Sequence, residues 1–251
     1  MTAASTVYTL WLREVKRFSR SKSRLLGAFA LPALFLIVLG SGMSAVFRYR
    51  EGVSYAAFIG PGIVVMSLLF SSMFGGMNVL WDKQFGFLKE ILVAPVGRMA
   101  IMTGKTLGTV TESMLKGLVF LTALAVWGLV RVDVPGLLLT LLFMFLISGA
   151  FVSLAIAFAS RMNDPHGFPI VMNFIIMPIF FLSGALFPIA GLSGWLSVVT
   201  HLNPLTYGVD GMRYALGAPY EFSPLFDLGV LVGFWAATTV VGGYLFNRIS
   251  V

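Results

Sequence analysis

Long uncharged runs separated by short basic clusters dominate the pattern along this chain of 251 residues. A helix needs about 20 mostly apolar residues to cross a hydrocarbon layer roughly 30 Å thick, because its backbone polar groups must be paired within the segment itself. Six stretches reach that length, at about 25–47, 53–80, 102–130, 134–160, 167–187 and 228–247. The third is the least pure: it must include Glu112 and Lys116, since the uncharged remainder is too short to cross alone. Pro32, Gly40, Gly42 and the cluster Gly60-Pro61-Gly62 fall inside spans, where lipid-embedded helices tolerate them.

Composition removes the water-soluble class. Hydrophobic residues make up 58% of the chain and charged ones 11%, against about 25% charged in ordinary globular domains. The fold class is therefore an all-α integral membrane protein with six transmembrane helices, residues 1–251 forming a single transmembrane domain. The first apolar run starts after 24 residues and ends without a clear small-residue cleavage site, so it is expected to stay in the mature protein. Cysteine is absent, which excludes disulfides and thiolate chemistry, and two histidines leave little for a metal site. No metal, and no cofactor bound by this chain, is expected. The net charge of +7 reads as an orientation signal, not as a nucleic-acid footprint. With the N-terminus inside, twelve basic residues fall in inner segments and four in outer ones. Both termini are then cytoplasmic, in a multi-pass protein of the plasma membrane.

Three segments outside the spans invite a role. Residues 5–24 form a candidate amphipathic interfacial helix: Val7, Leu10, Trp11, Leu12, Val15 and Phe18 supply apolar contact, while Arg13, Lys16 and Arg17 lead a basic set suited to anionic headgroups. It reads as a membrane anchor or as a grip on a cytosolic partner. Between spans two and three, Phe85, Leu88 and Leu92 recur at helical spacing, as do Phe87 and Ile91, and Pro95 is placed to end that helix. This is either a rigid knob offered to the cytosol or a loop resting on the bilayer. Residues 188–224 remain apolar outside the membrane and predict a re-entrant or interfacial hairpin at the external face after span five.

Other motifs dissolve on inspection. Thr103-Gly104-Lys105-Thr106 ends like a phosphate loop, but the glycine that motif needs five residues before Gly104 is Met99, so Lys105 is read as a basic residue at the cytoplasmic end of span three. Glu112 and Lys116 stand four apart on one helix face and can pair; the structural reading is favoured over a relay, which would need more ionisable groups. His166 and His201 are predicted on opposite sides of the membrane and cannot share a metal. A nucleophilic pairing of Ser183 with His201, as in an intramembrane protease, is the faintest candidate.

Taken in order along the chain, three features resemble a permease of the ABC type-2 exporter family, in the branch of daunorubicin-resistance and nodulation lipo-oligosaccharide exporters. They are the basic N-terminal helix before six spans; the segment Phe85-Gly86-Phe87-Leu88-Lys89-Glu90-Ile91-Leu92-Val93-Ala94-Pro95-Val96-Gly97-Arg98; and Phe181-Leu182-Ser183-Gly184-Ala185-Leu186-Phe187-Pro188, followed by Asn203-Pro204-Leu205-Thr206-Tyr207 and Met212-Arg213. Phe87 departs from the threonine common in the family. The resemblance implies a subunit without catalytic residues, working as a homodimer with separate ABC ATPase subunits that hold ATP and Mg. Phe85, Gly86, Phe87, Leu88, Lys89, Glu90, Ile91, Leu92, Pro95 and Arg98 would form the cytoplasmic coupling helix and its flanks. Trp11, Arg13, Lys16, Arg17 and Phe18 would rest on the same partner, and Pro188, Trp195, Asn203, Pro204, Tyr207 and Arg213 would form the external hairpin or gate. The alternative is a self-contained secondary transporter or channel, which would move its cargo unaided and would carry ionisable groups at the midplane.

Overall fold

A computed structural model describes residues 2–20, 22–43, 54–93 and 96–248, apart from the side chains of residues 22–29, 89 and 92. The regular elements among its described residues are all helices. The elements in chain order are α1 (Ala3–Ser19), α2 (Lys22–Gly42), α3 (Tyr55–Gln84), α4 (Phe87–Val93), α5 (Arg98–Val126) and α6 (Val134–Arg161). A 3-10 turn (Pro165–Gly167) then leads to α7 (Phe168–Val171), a π-helical turn (Met172–Ile176) and α8 (Met177–Phe181). The chain closes with α9 (Gly194–Leu202), α10 (Pro204–Ala215) and α11 (Pro224–Asn247). Among the described residues, α3, α5, α6 and α11 are long and apolar enough to cross a bilayer, while Ala30–Gly42 and Pro165–Phe181 are shorter apolar stretches. The predicted end of span one, residues 44–47, and Pro95 lie outside the described residues.

Local chemistry fixes the helix ends. Asp133 accepts the amide of Gly136 at 2.7 Å and Pro135 sits in the first turn, so α6 starts beside the predicted position. Ser54 and Ser223 cap α3 and α11 in the same way. Span five, predicted as one helix, changes geometry part-way: Pro178 has no amide hydrogen for the carbonyl of Phe174, and the π turn lies just before it. Through Gly60-Pro61-Gly62, by contrast, α3 is one helix. A Cβ at Gly62 would stand 2.6 Å from the Ala185 carbonyl oxygen, so this glycine serves close contact.

The core lies around α3, which packs against α2, α5, α6 and α10, with α11 laid against α6. Helices in lipid associate through tight packing, which small residues permit. A Cβ on Gly76 would sit 2.5 Å from the Ala155 carbonyl oxygen of α6, and neither backbone can yield. Gly76→Val is expected to lower the thermal unfolding midpoint of the purified protein, at a cost of about 2 kcal/mol. Gly229→Ala, whose Cβ meets nothing within 4 Å, is the control and leaves the midpoint unchanged or raises it.

Candidate functional site

The buried face of α1 is the stripe Thr6, Leu10 and Glu14, one residue per turn, and it lies against α5. Gly104 and Gly108 let the two backbones approach, since a Cβ on Gly108 would stand 2.5 Å from the Glu14 Cβ. Trp11 Nε1 donates to Thr111 Oγ1 at 3.0 Å, further along the same contact. Much of the helix's apolar face is therefore spent on protein, and Lys16 and Arg20 remain exposed.

This docking completes a buried ionic cluster at one end of the bundle. Asp82, in the last turn of α3, receives Lys105 Nζ from α5 on Oδ2. On its other oxygen it meets Arg13 Nη2 at 3.3 Å and Arg17 Nη1 at 3.8 Å, both from α1. Glu14 stands 3.5 Å from each of the same two arginines. Lys105, read as a basic residue at the end of span three, is buried at that end of the bundle as a partner of Asp82. Arg13 also stacks over the Phe87 ring, 3.8 Å from its centroid, so one guanidinium joins α1, the end of α3 and the start of α4.

The segment between α3 and α4 differs in detail from the predicted knob. Gly86, at φ 78°, takes a left-handed conformation that separates Phe85 from the helix beginning at Phe87. Phe85 stacks on Trp81 and is 77% exposed; Val93, at the other end of α4, is 85% exposed. Leu88 is fully buried and Ile91 half-buried against the core, so these two face the bundle and not the surroundings. Glu90 is exposed, whereas the side chains of Lys89 and Leu92 fall outside the description. Flanking clamps hold the segment: Lys83 Nζ donates to Asn163 Oδ1 at 2.7 Å, and Arg98 donates to the Asn247 carbonyl.

Deeper in the bundle, Lys116 Nζ donates to Glu112 Oε1 at 2.7 Å and to Ser71 Oγ at 3.1 Å, so the predicted pair forms and reaches across to α3. Phe18 of α1 lies with its ring centroid 5.3 Å from the same ammonium.

At the opposite end, residues 182–190 form no regular element, and their carbonyls are captured from two sides. Tyr55 of α3 donates its hydroxyl to the Leu186 carbonyl at 2.8 Å. Arg213 of α10, buried over the Phe58 ring, donates to the carbonyls of Gly184 at 2.8 Å and Ala185 at 3.4 Å. Asn203 caps α10 through Leu205 and donates to the Ile179 carbonyl at 2.6 Å, Pro204 opens that helix, and Tyr207 donates to the His201 carbonyl at 2.6 Å. Pro188 is half-buried, and Trp195 on α9 is exposed. Ser183 is spent within its own turn, donating to the Phe180 carbonyl. The sequence reading missed Asp210, whose carboxylate accepts the amides of Glu221 and Phe222 and ties α10 to the approach of α11. Burial pushes the Asp210 carboxyl above the usual carboxylate range, although those two amides pull the other way.

Apolar helices long enough to cross a bilayer, a clamped knuckle at one end and a laced turn at the other define a membrane permease. The chain belongs to the ABC-2 type transporter family, whose family model matches residues 5–216, from the first turn of α1 to the residue after α10. It is 26% identical over 250 residues to the inner membrane transport permease YadH of Escherichia coli, covering 96% of this chain and 94% of that one. Nodulation protein J of Rhizobium meliloti is 28% identical over 240 residues, covering 94% and 89% of the two chains. The putative transport permease ycf38 of Porphyra purpurea is 23% identical over 242 residues, covering 92% and 83%. This chain is the transmembrane subunit of an ABC transporter.

Proposed function

We propose that the chain is an exporter half with six crossings, both termini cytoplasmic in the plasma membrane, and that two copies line one route between them. Separate ATPase subunits carry ATP and Mg and seat the α4 knuckle. The twelve-to-four bias of basic residues supports that orientation and puts the Asp82 cluster at the cytoplasmic end. Cargo passes over α2, α3 and the α7–α8 segment, and the external hairpin closes above it. Nodulation protein J is named for nodulation and YadH for transport; neither name fixes the cargo here.

One observation carries the reading: Arg13 bridges Asp82 and the Phe87 ring. A push on α4 can reach α1, α3 and α5 only if the knuckle is fixed to them, and this contact fixes it. A self-contained carrier is not favoured, because the Glu112–Lys116 charges inside the described spans close on each other.

The knuckle offers Phe85 and Val93 outward, so the double variant Phe85→Ala/Val93→Ala tests the coupling. Transport by the reconstituted complex is expected to fall about tenfold or more, which corresponds to the loss of an interface anchor. ATP hydrolysis continues and the unfolding midpoint stays in place. Undiminished transport by this variant overturns the coupling role. Leu88→Ala is unsuitable for that purpose, since it empties a core site and costs about 2–5 kcal/mol of stability.

A further inference from the structure

A cavity of about 360 Å³ opens in the wall formed by α2, α3 and α7, with Lys116 of α5 at its back. Leu31, Phe70, Phe74, Met77, Phe168 and Met172 supply most of its surface, and Ser67, Ser71, Lys116 and Asn173 are its polar members. Its size is at the low end for ligand pockets, enough for a chain segment and one polar group but not for a large head. Leu31 and Phe74 line the cavity and are also exposed, so it opens toward the bundle's surroundings.

Its depth follows from helix geometry. Ser71 and Lys116 each stand eleven residues from the Asp82–Lys105 pair at the bundle end. At 1.5 Å per residue that is about 16 Å in from the pair, while Phe168 and Met172 belong to the first turns of span five, so the cavity lies within the hydrocarbon layer on the cluster's side of the bundle. Polar groups at that depth are costly unless something satisfies them.

Two are unsatisfied. Ser67 is 4% exposed, and its hydroxyl has no partner among the described residues. Lys116 has three N–H donors: Glu112 and Ser71 take two, and the third, with the Phe18 ring 5.3 Å from the ammonium, has no hydrogen-bond acceptor among the described residues. The cavity therefore presents a spare ammonium proton and a spare hydroxyl within an apolar wall. Charge then selects the occupant. Glu112 already neutralises Lys116, so an added anion would leave an unbalanced negative charge within the apolar wall, and an amine would face the ammonium. An uncharged oxygen that accepts hydrogen bonds completes the site without either cost.

Resting on the permease reading, we infer that this cavity binds an amphipath in which an apolar chain carries an uncharged hydroxyl- or carbonyl-bearing group, held by Lys116 and Ser67. The same chemistry describes a transported cargo and a resident neutral lipid. The π turn contributes directly, since Met172 and Asn173 belong to it and to the cavity.

The test uses the chain with its ATPase partner in phosphatidylcholine nanodiscs. Three photoprobes share one diazirine-bearing dodecyl chain and carry a glycerol, a phosphate or a trimethylammonium head. Labelling is mapped by mass spectrometry to peptides containing Phe74, Met77 and Met172. The glycerol probe is expected to label these about tenfold more than either charged probe, the scale of one well-made hydrogen bond against an uncompensated charge. Ser67→Ala is expected to reduce that labelling several-fold while leaving the unfolding midpoint unchanged or higher, because it deletes a buried hydroxyl that has no partner. Glu112→Gln/Lys116→Met, which keeps the charge balance, is expected to reduce it further. Equal labelling by all three probes, or labelling indifferent to both variants, overturns the site. Addition of MgATP separates the sources: labelling that falls identifies cargo, and labelling that persists identifies a resident lipid. Selective labelling in a complex whose ATPase does not drive transport leaves the site standing and the permease coupling refuted. Unselective labelling in a coupled complex does the reverse.

Discussion

Asp82→Asn is expected to destabilise the folded protein by about 3–5 kcal/mol, the usual cost of breaking a buried ion pair from one side. Among the described residues the carboxylate alone meets both Lys105 of α5 and the arginines of α1, and Lys105 is itself buried. An amide keeps the shape but leaves the buried Lys105 ammonium uncompensated, while Arg13 and Arg17 keep only Glu14 as a carboxylate partner. Arg13 then loses one of the two acids that hold it beside Phe87, so the loss reaches the knuckle as well as the stability. The measurement is thermal unfolding of purified variants, with transport by the reconstituted complex as second readout. The double variant Asp82→Asn/Lys105→Met removes the stranded charge with its partner and should recover part of the loss, giving a coupling energy of the order of 1–3 kcal/mol. An unchanged midpoint for Asp82→Asn, or strict additivity of the two substitutions, would show that the cluster is screened and not structural.

None of that cluster was legible as a cluster. Asp82 and Lys105 are 23 positions apart and Arg13 and Asp82 are 69 apart, so no local period joins them. Read locally, Lys105 looks like an end-of-span anchor. One signal was present: Glu14 continues the four-residue stripe of Thr6 and Leu10, and an acid on the buried face of a basic helix needs a cationic partner. What the pattern did carry was length and apolarity. It places α6 within a residue of its observed ends, because Asp133 and Pro135 mark the start chemically and the apolar run stops at Arg161. For α5 it runs four residues late at both ends. There the helix starts directly after Gly97 and stops before Gly128, whose left-handed φ of 68° is the usual helix-closing conformation. In the knuckle, helical spacing alone grouped Phe85 with Leu88. Gly86 breaks that register, which turns Phe85 outward while Leu88 enters the core. The segment after α8 was legible as apolar, but its lacing was not, because the acceptors are main-chain carbonyls that carry no sequence identity.

That lacing yields the second large effect. Arg213→Ala is expected to cost about 3 kcal/mol, since it removes charge-assisted hydrogen bonds and strands buried acceptors. The carbonyls of Gly184 and Ala185 lie in a turn without regular structure, and so depend on side chains for partners. Gly184 adds to that dependence with its φ of 71°, a conformation held by the surrounding contacts. Tyr55 continues to hold Leu186 one residue further on, so the turn should loosen at its start while its end stays pinned. Arg213→Lys separates charge from shape. An ammonium can reach one carbonyl but loses the planar stack on Phe58, so its loss should fall between wild type and alanine. Limited proteolysis between residues 184 and 203 reads the local opening, and thermal unfolding reads the global cost. If the hairpin closes the cargo route, Arg213→Ala should also raise basal ATP hydrolysis relative to transport, because the stroke proceeds against an unlatched lid. An alanine variant that keeps its midpoint and stays resistant in that stretch would place the latch elsewhere, with Asn203 and its bond to the Ile179 carbonyl the next residue to substitute.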